Sequence, residues 1–313
     1  MIIFGASNAG RRLKKILEAK GLKIDYFCDN DIKKYGKVID GIKVFNPSCL
    51  KNRPHIVIAS MWVKDIAVQL EEMGITNWSS SDEWLLKDHF NLKLDFKKIK
   101  RFFNLLKDKP SREVLRRIVN YRLGLVCLVD SSPYPAYFHP EVSPEKEDVV
   151  IDGGAHTGDT APAFANSAMK VFSFEPEEET YKKLARNVSS LNNVFPEKAA
   201  LWNKDGYLSF KVVNCSGSSH VSFWGKKKVK AVALDTFVKE ADLIKLDVEG
   251  SEERVLMGAR RLLKLRPKLQ VCIYHKPRDL WEIPLLIKKL NPDYEFYLGH
   301  HSQLTTETVL YAK

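Results

Sequence analysis

Paired cysteines are missing from this chain: five stand at positions 28, 49, 127, 215 and 272, with no C-x-x-C pair and no metal-ligand spacing. The pattern reads as free thiols in a reducing compartment rather than a disulfide framework. Also missing is any apolar run approaching the roughly 20 residues that cross a bilayer. Met1-Ile2-Ile3-Phe4 runs straight into a glycine turn, with no basic leader and no small-residue cleavage site. These absences lead to the expectation of a cytoplasmic protein without a transmembrane segment. The net charge of +11 is carried largely in short runs such as Arg11-Arg12, Lys97-Lys98 and Lys226-Lys227-Lys228, without aromatic interleaving or a base-reading motif. Nucleic acid is thereby disfavoured as a partner. Attraction to a sugar nucleotide, an anionic glycan or an acidic membrane surface accounts for the charge equally well. What is present is the composition of a globular protein, 44% hydrophobic and 28% charged, in 313 residues, enough for two cores.

Three segments follow from the pattern. Residues 1–84 alternate strand-like and helix-like stretches: Ile2–Phe4, a glycine turn, a helix Arg11–Lys20, then strands Ile24–Cys28 and His55–Ala59 and a helix Asp65–Met73. Such alternation implies a small parallel sheet. Residues 85–146 read as a connector: basic amphipathic helices over Leu92–Leu106 and Glu113–Leu125, then a loop with prolines at 133, 135, 140 and 144. Residues 147–313 resume the rhythm. Strands are expected at Val149–Asp152, Val171–Glu175, Pro196–Leu201, Leu243–Asp247, Leu269–Tyr274, Tyr294–Leu298 and Thr308–Tyr311. Helices are expected at Asp159–Asn166, Glu177–Leu191, Ser251–Leu263 and Leu280–Leu290, with an added hairpin from Tyr207–Val213 and Val229–Leu234. The fold class is thus α/β, a Rossmann-like domain preceded by a smaller one.

The strongest chemical signal is Val149-Val150-Ile151-Asp152-Gly153-Gly154-Ala155-His156-Thr157-Gly158-Asp159-Thr160. A buried strand ends in a carboxylate, and glycines let the backbone turn and approach a ligand closely. Glu175 ends the next strand 23 positions later, near the spacing of an acid that accepts from both ribose hydroxyls of a nucleotide. The fourth strand should lie beside the first, which brings Asp247 and Glu249 of Leu246-Asp247-Val248-Glu249-Gly250 to the same edge. His275 closes the fifth strand there, and its ordinary pKa suits a base at neutral pH. Glu249 could equally cap a helix, whereas Asp247 is favoured for the active site, and with Glu252 the two could instead hold a divalent cation.

These motifs, together with Ile273-Tyr274-His275-Lys276-Pro277-Arg278-Asp279-Leu280 and the closing Glu307-Thr308-Val309-Leu310-Tyr311-Ala312, resemble the FkbM-type methyltransferase family over about residues 147–313. The resemblance implies a seven-stranded class I sheet whose last strand is antiparallel, S-adenosylmethionine as donor, and O-methylation of sugars or polyketide-like alcohols. Position by position it places cofactor contacts on Asp152, Gly154, Ala155, His156, Gly158, Thr160, Glu175 and Pro176, with Ala199, Ala200 and Leu201 on the adenine side. Asp247, Glu249 and His275 become the catalytic candidates, and no metal is called for. The N-terminal segment is more loosely similar to the nucleotide-binding domain of sugar acyltransferases through Gly5–Gly10, Phe27-Cys28-Asp29-Asn30 and Gly36–Val44, with Asp29 where a ribose acid belongs.

The expected protein is therefore an O-methyltransferase acting on a hydroxyl of a sugar, sugar nucleotide or glycan precursor. One alternative, a nucleic-acid methyltransferase, lacks the Asp/Asn-Pro-Pro-aromatic motif after strand four. A nucleotide-sugar oxidoreductase or epimerase lacks an evident Tyr-x-x-x-Lys pair and leaves the second half unexplained. The acceptor pocket is expected from residues 133–146 and 214–228, and nothing in the sequence fixes an oligomeric state.

Overall fold

Short, largely buried strands build the first of two units, residues 1–93, 116–130 and 302–305. The computed structural model describes residues 1–50, 55–60, 62–81, 84, 94–123, 128–211, 220–221, 227–304 and 306–313. In the first unit β1 (Ile2–Phe4) lies between β2 (Tyr26–Cys28) and β5 (Ile56–Ile58), all parallel. The sheet extends through β4 (Ile42–Phe45) to β3 (Val38–Ile39) on one side and to β6 (Trp78–Ser80) on the other. Two helices cover it, Asn8–Ala19 and Val63–Glu72, burying Leu13, Leu17, Ile66 and Leu70. The first begins inside the glycine turn, three residues earlier than expected, because Gly10 can sit against the carbonyl of Gly5; a Cβ there would lie 1.8 Å from that oxygen.

The second unit, residues 94–115, 131–301 and 306–313, carries the larger sheet. Its order is β16-β17-β15-β14-β7-β8-β9: Phe296–His300, Thr308–Ala312, Lys268–Cys272, Leu243–Leu246, Val149–Gly153, Lys170–Phe174 and Val194–Glu197. Strand β17 runs antiparallel to both neighbours, as the family resemblance implies. Strand four (β14) lies beside strand one (β7), in the register Lys245↔Asp152 and Leu246↔Gly153. The central strands are buried on both faces, so they read as continuous apolar runs. The order reverses at β7, and ligands of such sheets bind at the carboxyl ends flanking that point.

Two elements differ from their sequence expectation. Pro196–Leu201 is no single strand. The Ala199 N–H bonds back to the Glu197 carbonyl, ending β9, and β10 (Ala200–Leu201) joins another sheet by pairing with β13 (Lys227–Val232). That sheet contains the expected hairpin, β11 (Gly206–Lys211) against β13, and also β12 (His220–Val221). The helix expected over Ser251–Leu263 is two, Glu252–Met257 and Arg260–Lys264. The break follows from Asp235, whose carboxylate accepts the N–H groups of Arg261 and Leu262 and caps a fresh helix start. At the same break Gly258 lies so close to Trp202 that a Cβ would sit 2.2 Å from its carbonyl oxygen.

The stretch read from sequence as a helical connector is shared between the units. The helix Phe96–Leu105 belongs with the second, and its Lys98 pairs with Glu282 at 2.6 Å. The proline-bearing loop also belongs there and is well packed: Gln270 Nε2 donates to the carbonyls of Tyr137 and Val142 at 2.8 Å each. Tyr137 is buried as a result.

Candidate active site

The glycine turn and strand four meet through their backbones. Gly154 has φ +78° and rests on the Asp247 carbonyl, where a Cβ would come within 1.8 Å. The glycine is thus required by the approach of two chain segments, and it brings the turn directly against Asp247. Gly158 and His156 also have positive φ, 89° and 49°.

Asp152 is fully buried and already paired. Lys245, its neighbour across the strands, places Nζ 2.9 Å from Asp152 Oδ1 and donates to the Gly154 carbonyl at 2.9 Å. The ammonium lies over the Tyr137 ring, 5.2 Å from its centroid. Burial alone would lower the Lys245 pKa, but Asp152 and Asp247 hold it above its ordinary value. Thr160 Oγ1 donates to the other Asp152 oxygen at 3.2 Å. An internal lysine thus pairs with the carboxylate on which the resemblance places a cofactor contact, and the pair fixes the turn from beneath.

Glu175 follows β8, beside the turn, and is 8% exposed. Its Oε1 accepts from the Glu177 N–H at 2.8 Å, and the His156 N–H also donates to the carboxylate. Desolvation outweighs these bonds and pushes its pKa up to about 7. Ala199, Ala200 and Leu201 are all buried, and Leu201 lies against Gly153, where a Cβ would meet its Cδ1 at 2.7 Å. Residues 214–219 and 222–226 of the expected acceptor segment lie outside the described residues.

The catalytic candidates converge. His275 Nε2 lies 3.3 Å from Asp247 Oδ1 and 3.7 Å from Glu249 Oε2, and its Nδ1 lies 2.9 Å from Glu252 Oε1. Burial by itself lowers the His275 pKa, yet Glu252, Asp247 and Glu249 raise it to about 9. The raised pKa favours the protonated ring, with a carboxylate oxygen within ion-pair distance of each of its nitrogens. Glu252 Oε1 further accepts from the N–H groups of Val248 and Gly250. Among the described residues, no cluster of three such side chains is arranged to hold a metal.

Five members of this constellation escaped the sequence reading: Lys245, Tyr137, Tyr274, Glu252 as a histidine partner, and Glu307. The hydroxyls of Tyr137 and Tyr274 donate to Asp247 at 3.1 and 3.3 Å, and Tyr274 also reaches Glu307 at 3.5 Å. A lysine inside an otherwise apolar strand, Leu243-Ile244-Lys245-Leu246, was the one available signal.

With this geometry in view, comparison with known proteins is decisive. Residues 152–300 match the family model described as the Methyltransferase FkbM domain. This part of the chain belongs to the FkbM methyltransferase family. Residues 1–79 match a second family model, described as C2185-like, N-terminal. The hexuronic acid methyltransferase AglP of Haloferax volcanii is 29% identical over 171 residues, covering 50% of this chain and 71% of that protein. A solved structure, the methyltransferase FkbM of Methylobacillus flagellatus, superposes with a TM-score of 0.76 at 18% identity, covering 100% of this chain and 89% of that one. The FkbM domain is accordingly a methyltransferase domain with the class I sheet, and no helix among the described residues is long and apolar enough to cross a membrane.

Proposed function

We propose that the FkbM domain methylates a hydroxyl group of a sugar or glycan precursor, with a sugar nucleotide among the acceptors. The observation that carries the reading is the contact of Gly154 with the Asp247 backbone, which sets the glycine turn and the carboxylate–imidazole cluster side by side. S-adenosylmethionine, the methyl donor, supplies an activated methyl on a sulfonium sulfur when bound. The residues beside the turn fit it. Glu175 is a desolvated carboxyl at the end of strand two, where a ribose presents two hydroxyl donors, and their bonds would favour its charged form. Asp152, paired with Lys245, braces the turn from beneath. Asp247, held by Tyr137, Tyr274 and His275, orients the acceptor side. Proximity and alignment supply much of the rate in such a displacement.

The sugar acceptor is supported by the likeness to AglP. A cytoplasmic location is supported by the free thiols Cys28 and Cys272. The test is calorimetric titration of the full chain with S-adenosylhomocysteine, repeated on Glu175→Ala. Micromolar binding that weakens at least tenfold in the variant is expected. A folded protein that binds none would sink the reading.

A further inference from the structure

Transfer of a methyl group to a hydroxyl releases a proton, and the cluster beside the turn contains three groups that might be asked to take it. Two are already engaged. His275 is held at both ring nitrogens, by Glu252 on one side and Asp247 on the other. Asp247 accepts the Tyr137 hydroxyl on Oδ2 and the Tyr274 hydroxyl on Oδ1, and His275 Nε2 lies 3.3 Å from that same Oδ1.

Glu249 differs from both. Its side chain is the most accessible of the cluster, 35% against 24% for Asp247, 9% for His275 and 1% for Glu252. His275 Nε2 stays 3.7 Å from it, beyond hydrogen-bonding distance. The backbone holds it in the left-handed region at φ +53°, which an L side chain adopts only where the surroundings enforce it. Here they do: Glu252 accepts the N–H groups of Val248 and Gly250, and Lys276 Nζ donates to the Gly250 carbonyl. A strained turn over-determined by a buried carboxylate and a lysine presents one carboxylate outward.

We propose that Glu249 is the proton acceptor of the reaction, with His275 a fixed imidazolium that positions the carboxylates around it. The proposal rests on the methyltransferase reading and deepens it. As the acceptor oxygen bonds the methyl carbon and the carbon–sulfur electron pair withdraws to sulfur, the hydroxyl proton passes to Glu249. The resulting neutral carboxylic acid returns the proton to water. Ionisation supports the geometry. The groups facing Glu249 are His275, Asp247, Glu252 and Glu307, with Lys276 and Tyr274 alongside. Burial raises its pKa, His275 lowers it and the three carboxylates raise it again, to about 7. A general base is most effective with its pKa near the working pH. A carboxylate acceptor would release no proton and need no base, so the linkage formed is diagnostic.

The test has two arms on the full-length protein. The first needs no acceptor: nitrogen-15 histidine and carbon-13 glutamate labelling with NMR titration. Expected are protons on both His275 ring nitrogens at pH 7.5, and a carboxyl resonance, absent from Glu249→Gln, that titrates near 7. A neutral His275 at pH 7.5, or a Glu249 that titrates in the ordinary range near 4.5, overturns the proposal. The second arm uses S-adenosylmethionine with glucuronic acid, which offers both hydroxyls and a carboxylate. Expected are an alkali-stable ether and a kcat lowered by about 10²–10⁴-fold in Glu249→Gln. S-adenosylhomocysteine affinity should stay within about twofold of wild type, and Glu249→Asp should restore part of the rate. Unchanged turnover in Glu249→Gln, or an alkali-labile ester product, overturns it. Loss of S-adenosylhomocysteine binding by the wild type would instead count against the methyltransferase reading itself.

Discussion

The two units contain the same device with opposite electrostatic outcomes. In each, a central strand leads into a glycine turn, and the next strand ends in an acid that accepts two backbone N–H groups. Asp29 accepts from Ala6 at 2.7 Å and from Asp31 at 2.9 Å, while Glu175 accepts from His156 and from Glu177. The difference is one lysine. Lys34 reaches Asp29 at 2.9 Å, and although burial opposes it, the two N–H bonds and the lysine hold the Asp29 carboxyl below its usual range. Among the described residues Glu175 has no paired cation, and burial drives it up to about 7. The N-terminal acid is supplied with donors by its own fold. The C-terminal acid has its two N–H donors and no lysine, which leaves room for the ribose hydroxyls of the proposed donor. In the second unit the internal lysine has moved to the first strand's acid, Asp152.

Moving or removing those lysines is the sharpest way to break this comparison. Lys245→Met should be the most damaging change, because it strands a fully buried Asp152 carboxylate; about 3–5 kcal/mol of stability should be lost in urea unfolding. Lys34→Met removes a partner from a more accessible pair and should cost only about 1 kcal/mol by the same measurement. Equal losses would show that the two lysines play one structural role.

Glu175→Ala should weaken S-adenosylhomocysteine binding by about 1.5–3 kcal/mol for each charge-assisted bond lost, whereas Asp29→Ala should leave that affinity unchanged. A matching loss in Asp29→Ala would erase the functional distinction between the turns. Titration with pH sharpens it further. The folded Glu175 pKa is raised, so the folded state holds a proton that the unfolded chain releases, and its contribution to stability falls as pH rises from about 4.5 to about 7. Asp29 has the opposite sign: its lowered pKa contributes stability that is lost as pH falls below the usual carboxylate range. Hydroxyl donors prefer the charged Glu175, so S-adenosylhomocysteine should bind more tightly at pH 8 than at pH 6, and Glu175→Gln should flatten that dependence. Thr160→Val deletes one hydrogen bond to Asp152 and should cost about 1 kcal/mol in the same unfolding assay, no more than Lys34→Met.

Much of this arrangement was legible in the chain itself. Strand–helix rhythm located the strands of both parallel sheets that flank the turns, since apolar runs bounded by glycine and acid have few other uses. It missed β3, β4 and β6, which are short and mostly polar or half-exposed. It also ran two helices together at Gly258, because the capping side chain, Asp235, lies more than 20 residues away in sequence. The acids and the histidine were recognisable from their positions at strand ends. Their partners were not: Tyr137 reaches Asp247 from 110 residues away, and Lys245 meets Asp152 only through strand register.

The sequence by itself therefore determined the fold class, the order of the motifs and which residues stand at the carboxyl edge of the sheet. These depend on local pattern, on strand period and on where glycine and charge interrupt an apolar run. Only the tertiary structure decided which of those residues are free to act. Whether a carboxylate faces a ligand or an internal lysine, and whether an imidazole is a base or a fixed cation, depends on burial and on neighbours brought together by folding. Electrostatic energies depend on those distances, and sequence separation does not encode them.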